Sequence, residues 1–539
     1  MKRDIKQQKM NPAGHAAHKE YEKNVGADSQ RCDAAGTSAR GRVDEREYYR
    51  ALAQQHWDSL GKPIDSLGVL EQHVTKLCMI ERTAQPHIDR RALAVLCADH
   101  GCVREGVTQT DSSVTRVVAE NFAHGLTTTS VLAQQFAVDL FPIDVGMLAA
   151  TDSGTRTLSS RPMSTSELAS SRTSNCESDA GQSSDAEVIS SSGCQHEEEK
   201  QGCAALRTDL VNDRCLQHGS GDIAIEPAMS EEVGERALAL GRRLVRTLKA
   251  QGYDILLTGE MGIGNTTPTS ALFSAYLGLP VEETVGRGAG LSDEGLERKR
   301  DCVRRALRRV GIELDAEREA SLGDDRPVDS TQMFMPSGAP DPASKQAWQC
   351  GDDAGMAAKT RPCRAKQLLF ELGGLEIATM AGMFLGAVEE QIPIVIDGAI
   401  STAAALAASR ILAESNTSDA TNSATEVTVS TAEPGQMSDA GVSPSEAKRI
   451  AESAADSLPD REIHGFVDDV TLASHVSKDG AARKALEALG LRAIIDADMS
   501  LGEGSGAVLL MPMLDAALAV YHGMGSFDDI HVEAYHRFK

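Results

Sequence analysis

Two stretches of this chain carry residue types and spacings that could do chemistry. The first is Gly259-Glu260-Met261-Gly262-Ile263-Gly264-Asn265-Thr266-Thr267. It follows the apolar run Asp254–Thr258 and leads into Ser270–Leu277, which reads as strand, glycine turn and helix. Glycines allow close backbone approach, and the first N–H groups of a helix attract anions, so the turn suits a phosphate. Asn265 stands where a P-loop would carry its lysine, and Glu260 lies at the lip, which argues against ATP hydrolysis. A ligand with one phosphate and a reacting part further away fits better. The second stretch is Leu501-Gly502-Glu503-Gly504-Ser505-Gly506, ahead of another helical pattern. A glutamate between glycines in a partly apolar crevice can have its pKa raised into the range of a general base. The structural alternative is a helix N-terminal loop whose Glu503 favours the dipole.

Three further glycine-rich motifs are Val285–Gly290, Phe370–Ala378 and Asp397–Thr402. Each is compatible with glycine C-caps or close helix–sheet packing. Lys299, on the helix after the first of them, is either a solvated charge or a phosphate partner. His100 and His475 read as satisfied polar residues at strand ends rather than bases.

These motifs need a frame. Six apolar runs, Ala92–Ala98, Val138–Val145, Asp254–Thr258, Ile392–Ile396, Val470–Ala473 and Arg492–Ile495, are separated mostly by helical patterns. Such runs predict an α/β fold with a six-stranded parallel sheet covered by helices on both faces. The ends of the runs then converge on one crevice outside the strand carboxyl ends. Four segments, 1–45, 151–205, 313–362 and 413–460, are polar and rich in Ser, Pro, Gly or acid, and read as a disordered tail and insertions. The remainder of 46–539 reads as one enzyme-sized domain.

The net charge of −25 and an aromatic share of 4% disfavour nucleic acid and anionic membrane surfaces. The sequence shows no apolar run expected to span a membrane, and the basic N-terminus has no apolar segment behind it. Eleven cysteines with no Cys-x-x-Cys pair read as reduced thiols. Cys194, His196 and Cys203 lie in a serine-rich stretch and are not read as a metal site, so neither metal nor cofactor is expected.

The ordered motifs resemble one family, the nicotinate-nucleotide–dimethylbenzimidazole phosphoribosyltransferases (the CobT family). The resemblance begins at Asp58–Pro63, Ser66-Leu67-Gly68 and Leu70-Glu71, and continues through Ala98–Gly101, Glu105-Gly106-Val107 and Glu226–Met229. The glycine turn, Val285–Gly290, Gly373–Ala378, Asp397–Thr402, Ala473-Ser474-His475 and Leu501–Gly506 follow in the family's order. The resemblance implies a Rossmann-like sheet with a small helical subdomain and a homodimer working in the cytoplasm. It implies that nicotinate mononucleotide and a benzimidazole-type base give an α-riboside 5′-phosphate and nicotinate, with Glu503 as the base. The mononucleotide would lie on Gly262, Ile263, Gly264, Asn265, Thr266, Thr267, Gly286, Gly288 and Lys299. Glu260 would sit by the ribose, and Gly374, Asp397 and Ser401 would complete that site.

The lower-base pocket would use Thr110, Asp111, Ser112, Leu501 and Gly502. Many members carry a Tyr-Pro-Gln-type segment after Glu105-Gly106-Val107, where this chain has Thr108–Thr115. The added hydroxyls and carboxylate lead us to expect a base other than dimethylbenzimidazole: a hydroxylated benzimidazole, a purine or a phenol. A non-catalytic nucleotide sensor or scaffold on the same fold is the competing reading.

Overall fold

The computed structural model describes residues 39–148, 215–313, 364–422, 466–478 and 480–537. Most of the polar segments, and the Cys194–His196–Cys203 group with them, lie outside these residues. The structure does extend into two of them. A helix begins at Ala39, and the helix Ala399–Asn422 runs past the boundary read at 413.

Five parallel strands form the sheet: β1 (Arg91–Ala98), β2 (Val138–Gly146), β3 (Ile255–Met261), β4 (Ile394–Ile396) and β5 (Thr471–Ala473). Every residue of β1, β3, β4 and β5 is buried, which is why these strands read as continuous rather than alternating apolar runs. The sixth predicted strand is not formed. Arg492–Ile495 makes a single parallel bridge, His475 to Ile495. Its residues are exposed or half-buried, so the run lacks the two covered faces that support an inner strand.

The strand order is β2-β1-β3-β4-β5. The chain leaves β1 towards one edge and returns to pair β3 on the other side of β1, so the order reverses between these two strands. Doubly wound sheets bind ligands outside the carboxyl ends of the strands at such a switch point. Here it lies between Asp99-His100 after β1 and Gly262 after β3.

β3 runs further than expected. Gly259, Glu260 and Met261 pair with Val95, Leu96 and Cys97 and belong to the strand, leaving Gly262–Asn265 as the turn before the helix Thr266–Leu277.

Helices cover both faces of the sheet. The helix Glu231–Ala250 starts on Ser230, whose hydroxyl accepts from the Val233 N–H, and has Glu231 and Glu232 in its first turn, where acids suit the dipole. It packs on the helix Leu375–Glu390 at very close range: a Cβ on Gly241 would land on the Thr379 carbonyl, and one on Gly382 on that of Leu238. The small residues after Gly374 therefore serve helix–helix contact, not the caps or helix–sheet packing expected of them.

The chain falls into two compact units, residues 88–515 and a second made of 1–87 with 516–539. The second is helical in its described part, with Ala39–Ser59 and Val69–Glu81. There Lys62 and Glu71 form a buried ion pair at 2.7 Å, and the Trp57 and Tyr521 rings meet edge to face.

Among the described residues one helix, Ser505–Gly523, is long and apolar enough to cross a membrane by length and composition, against the expectation of none. Ala507, Val508, Leu510, Met511 and Leu514 are fully buried in the protein, so its apolar character is that of a core helix.

Candidate active site at the sheet switch point

Glu503 sits in a backbone conformation that side-chain-bearing residues rarely adopt, with φ of 62° between Gly502 at 79° and Gly504 at 86°. Holding a non-glycine residue there costs about 1–2 kcal/mol, so the surrounding fold must hold the loop. Asp397, just past the end of β4, does this. One carboxylate oxygen accepts from the N–H groups of Gly506 at 2.7 Å and Ala507 at 3.0 Å, and the other from Gly504 at 3.0 Å. β3 approaches from below: a Cβ on Gly259 would come within 2.7 Å of the Glu503 carbonyl oxygen. The Glu503 side chain then meets Thr129, whose fully buried hydroxyl donates to Oε2 at 3.1 Å. Burial raises the Glu503 pKa; the Thr129 bond opposes the shift and the Asp397 charge adds to it.

Glu260 lies alongside, in contact range of Gly502. Its other oxygen accepts from the Asn265 amide. Burial, then the charges of Asp397, Glu376 and Glu503, push its pKa to about 8, while the Glu503 N–H acts in the opposite direction. The folded state thus holds a proton that an unfolded glutamate, near 4.5, releases. Stability from this group is complete below the unfolded value and is lost as pH rises through about 8. Between pH 5 and pH 9 the parent should lose about 4 kcal/mol relative to Glu260→Gln, at about 1.36 kcal/mol per pKa unit. Denaturant midpoints of the two proteins at both pH values check this, and parallel pH curves would refute it.

Where the mononucleotide phosphate was expected, the structure joins Thr266, Gly286, Gly288 and Lys299. The buried Lys299 ammonium donates to Thr266 Oγ1 at 2.8 Å and to the Gly286 carbonyl at 3.1 Å. A Cβ on Gly288 would sit 3.2 Å from Thr266 Oγ1 and 3.5 Å from Lys299 Nζ, so glycine keeps this corner open. Lys299 is therefore not the solvated charge that helix position alone allowed. The glycine turn is less open than expected. The Ile263 N–H donates to Thr115 Oγ1 at 3.2 Å, Asn265 to Gly262 O at 3.2 Å and Thr267 to Gly264 O at 3.0 Å. Those three N–H groups hold the turn itself, and the positive charge of the corner comes from Lys299.

Three residues assigned to the mononucleotide have other duties. Both Asp397 oxygens are committed to the Glu503 loop. Ser401 is buried, pairs with the Thr258 hydroxyl at 2.6 Å and accepts from the Asp397 N–H at 3.2 Å. Gly374 caps the helix Leu375–Glu390, and a Cβ there would crowd His100 and Glu376.

The proposed base-pocket residues divide. Leu501, half-exposed, and Gly502 border Glu503 and Glu260. Thr110, Asp111 and Ser112 belong to a surface loop, where Asp111 accepts from the Ser113 N–H at 2.9 Å at the start of the helix Ser113–Ala123. The Ser113 hydroxyl and that hydrogen bond hold the exposed carboxylate below its usual range. Gln109 of the same loop donates to the Gly290 carbonyl, beside the phosphate corner.

Sequence reading missed Thr129, Thr115 and Glu376. The hydroxyl run Thr127–Ser130 was a visible signal for Thr129, since Thr127 caps that helix by accepting from the Ser130 N–H. His100 pairs with Glu376 at 3.0 Å with both side chains buried. Burial opposes the imidazolium, but the Glu376 carboxylate outweighs it and raises the His100 pKa.

The same arrangement of sequence and fold occurs in known proteins. A family profile described as phosphoribosyltransferase matches residues 44–322, 350–424 and 452–532. The nicotinate-nucleotide–dimethylbenzimidazole phosphoribosyltransferase of Acetivibrio thermocellus is 28% identical over 484 residues, covering 90% of this chain and 94% of that protein. The Escherichia coli protein of the same name is 29% identical over 474 residues, covering 88% and 89%. The crystal structure of CobT from Thermus thermophilus superposes with a TM-score of 0.57 at 28% identity, covering 90% of this chain and all of that one. The chain belongs to the phosphoribosyltransferase family that includes these CobT proteins.

Proposed function

We propose that the protein transfers the phosphoribosyl group of nicotinate mononucleotide to 5,6-dimethylbenzimidazole or a related lower-ligand base, giving α-ribazole 5′-phosphate and nicotinate. The observation that carries this reading is Glu503, held in a left-handed turn beside Glu260, whose carboxylate accepts from Asn265 next to the Thr266–Lys299 corner. In this reading the 5′-phosphate rests on Thr266, Gly286, Gly288 and Lys299. The base's ring N–H faces Glu503, and the ribose lies by Glu260, whose raised pKa favours the protonated form that can donate to a hydroxyl.

One ring nitrogen of the base attacks the anomeric carbon from the side opposite nicotinate. The bond to the pyridinium nitrogen breaks and its electron pair stays with nicotinate, which leaves neutral at that nitrogen. The other ring nitrogen gives its proton to Glu503, and the configuration inverts from β to α. The leaving group is already cationic, so alignment and one base supply most of the rate. The family resemblance supports a homodimer, and the free thiols Cys78, Cys97, Cys102, Cys215 and Cys302 suit a reducing compartment such as the cytoplasm.

The test is nicotinate release from the mononucleotide with a panel of benzimidazoles, purines and phenols. Release that depends on an added base is expected. The polar base expected from the Thr108–Thr115 sequence would be ruled out by dimethylbenzimidazole outcompeting every polar candidate, without touching the transferase. Saturable mononucleotide binding with no release for any base would replace the enzyme with a sensor or scaffold.

A further inference from the structure

Asp397 is buried to 2% exposure, and its carboxylate accepts three hydrogen bonds. All three come from backbone N–H groups at Gly504, Gly506 and Ala507, the residue after Glu503 and the first turns of the helix Ser505–Gly523. Behind it stands His475, at the end of β5, with Nδ1 3.9 Å from the carboxylate and 3.2 Å from the Ser474 hydroxyl. Ser474 in turn donates to the Asp397 carbonyl at 3.0 Å. Gly506 is pressed so closely on the His475 ring that any Cβ there would overlap it. The carboxyl ends of β4 and β5 are thus bolted to the loop carrying Glu503.

We propose that Asp397, backed by His475, is a positioning residue for Glu503, fixing the loop so that the carboxylate meets the base in one orientation. This rests on the reading of Glu503 as general base. It differs from the mononucleotide-binding role that the resemblance implied for Asp397, because the carboxylate is buried and both oxygens already accept from the Glu503 loop.

Asp397 is faced by His475, Glu260 and Glu503; Glu503 is faced by Thr129, Asp397 and Glu260. Burial raises the Asp397 pKa, and His475 and the three N–H groups oppose the shift. Its negative charge helps raise that of Glu503, so removing the charge must move the acid limb of the rate profile to lower pH.

The experiment compares Asp397→Asn, His475→Gln and Glu503→Gln by initial rates and mononucleotide binding across pH. For Asp397→Asn we expect kcat to fall about 10–100-fold, since misplacing a reacting group by about 1 Å costs up to that factor. The mononucleotide KM should stay within about twofold, the pattern of an interaction made in the transition state. The acid limb should shift downward. A raised KM with full kcat would make Asp397 a ligand, and a lowered kcat with an unmoved acid limb would leave it merely structural; either overturns the inference. If Asp397→Asn does not fold, His475→Gln decides: a lowered kcat at unchanged KM supports the clamp, and parental kcat refutes it. Parental turnover in Glu503→Gln would instead remove the general-base reading itself.

Discussion

Glu503→Gln should lower base-dependent nicotinate release by about 10²–10⁴-fold, the range for removing a positioned general base, and leave mononucleotide binding intact. The amide is the same size and can still accept from Thr129, so the loop and its Asp397 bonds have no reason to move. It cannot take a proton. The parent itself supplies an internal control through pH. Glu503 must be ionised to act, and its pKa is raised by burial, so kcat/KM should fall on acidification at a pH above the ordinary glutamate range. The variant's residual rate should lack that acid limb. Retention of more than about a tenth of the parental rate would be far outside the effect of a general base and would transfer the role to another group of the crevice.

Lys299→Met should raise the mononucleotide KM by about 10–100-fold, since hydrogen bonds to charged groups are worth about 1.5–3 kcal/mol and each 1.4 kcal/mol is about tenfold. Methionine keeps most of the apolar stem that packs inside the protein but removes the ammonium that binds Thr266 and Gly286. Phosphate is common to substrate and transition state, so the loss should fall on KM with kcat nearly preserved. Inorganic phosphate should inhibit the parent competitively against the mononucleotide and inhibit the variant far less. A variant with parental KM and parental phosphate inhibition would move the phosphate away from this corner and return Lys299 to a structural ion inside the fold.

Residue pattern alone was enough to find the parallel sheet and to mark Glu503 as a candidate. Strands buried on both faces must be continuous apolar runs, so β1 to β5 were visible before any contact was known. A carboxylate between glycines advertises a left-handed turn, and Gly502-Glu503-Gly504 is one, half-buried at Glu503. Local signals also placed the turn after β3, although its first three residues proved to be strand because they pair with Val95, Leu96 and Cys97. The sixth run misled for a related reason: apolar content does not reveal whether a segment will have both faces covered, and Arg492–Ile495 does not.

What each polar group does followed from the folded chain and from nothing shorter. Thr129 reaches Glu503 across 374 positions of chain, and Asp397 reaches Gly504, Gly506 and Ala507 across 107 to 110. No spacing rule connects such residues, because a hydrogen bond depends on where the fold brings two atoms and not on the pattern around either one. Asp397 shows this most clearly. The resemblance made it a ligand for the mononucleotide, whereas in the fold its carboxylate accepts from three backbone N–H groups of the Glu503 loop.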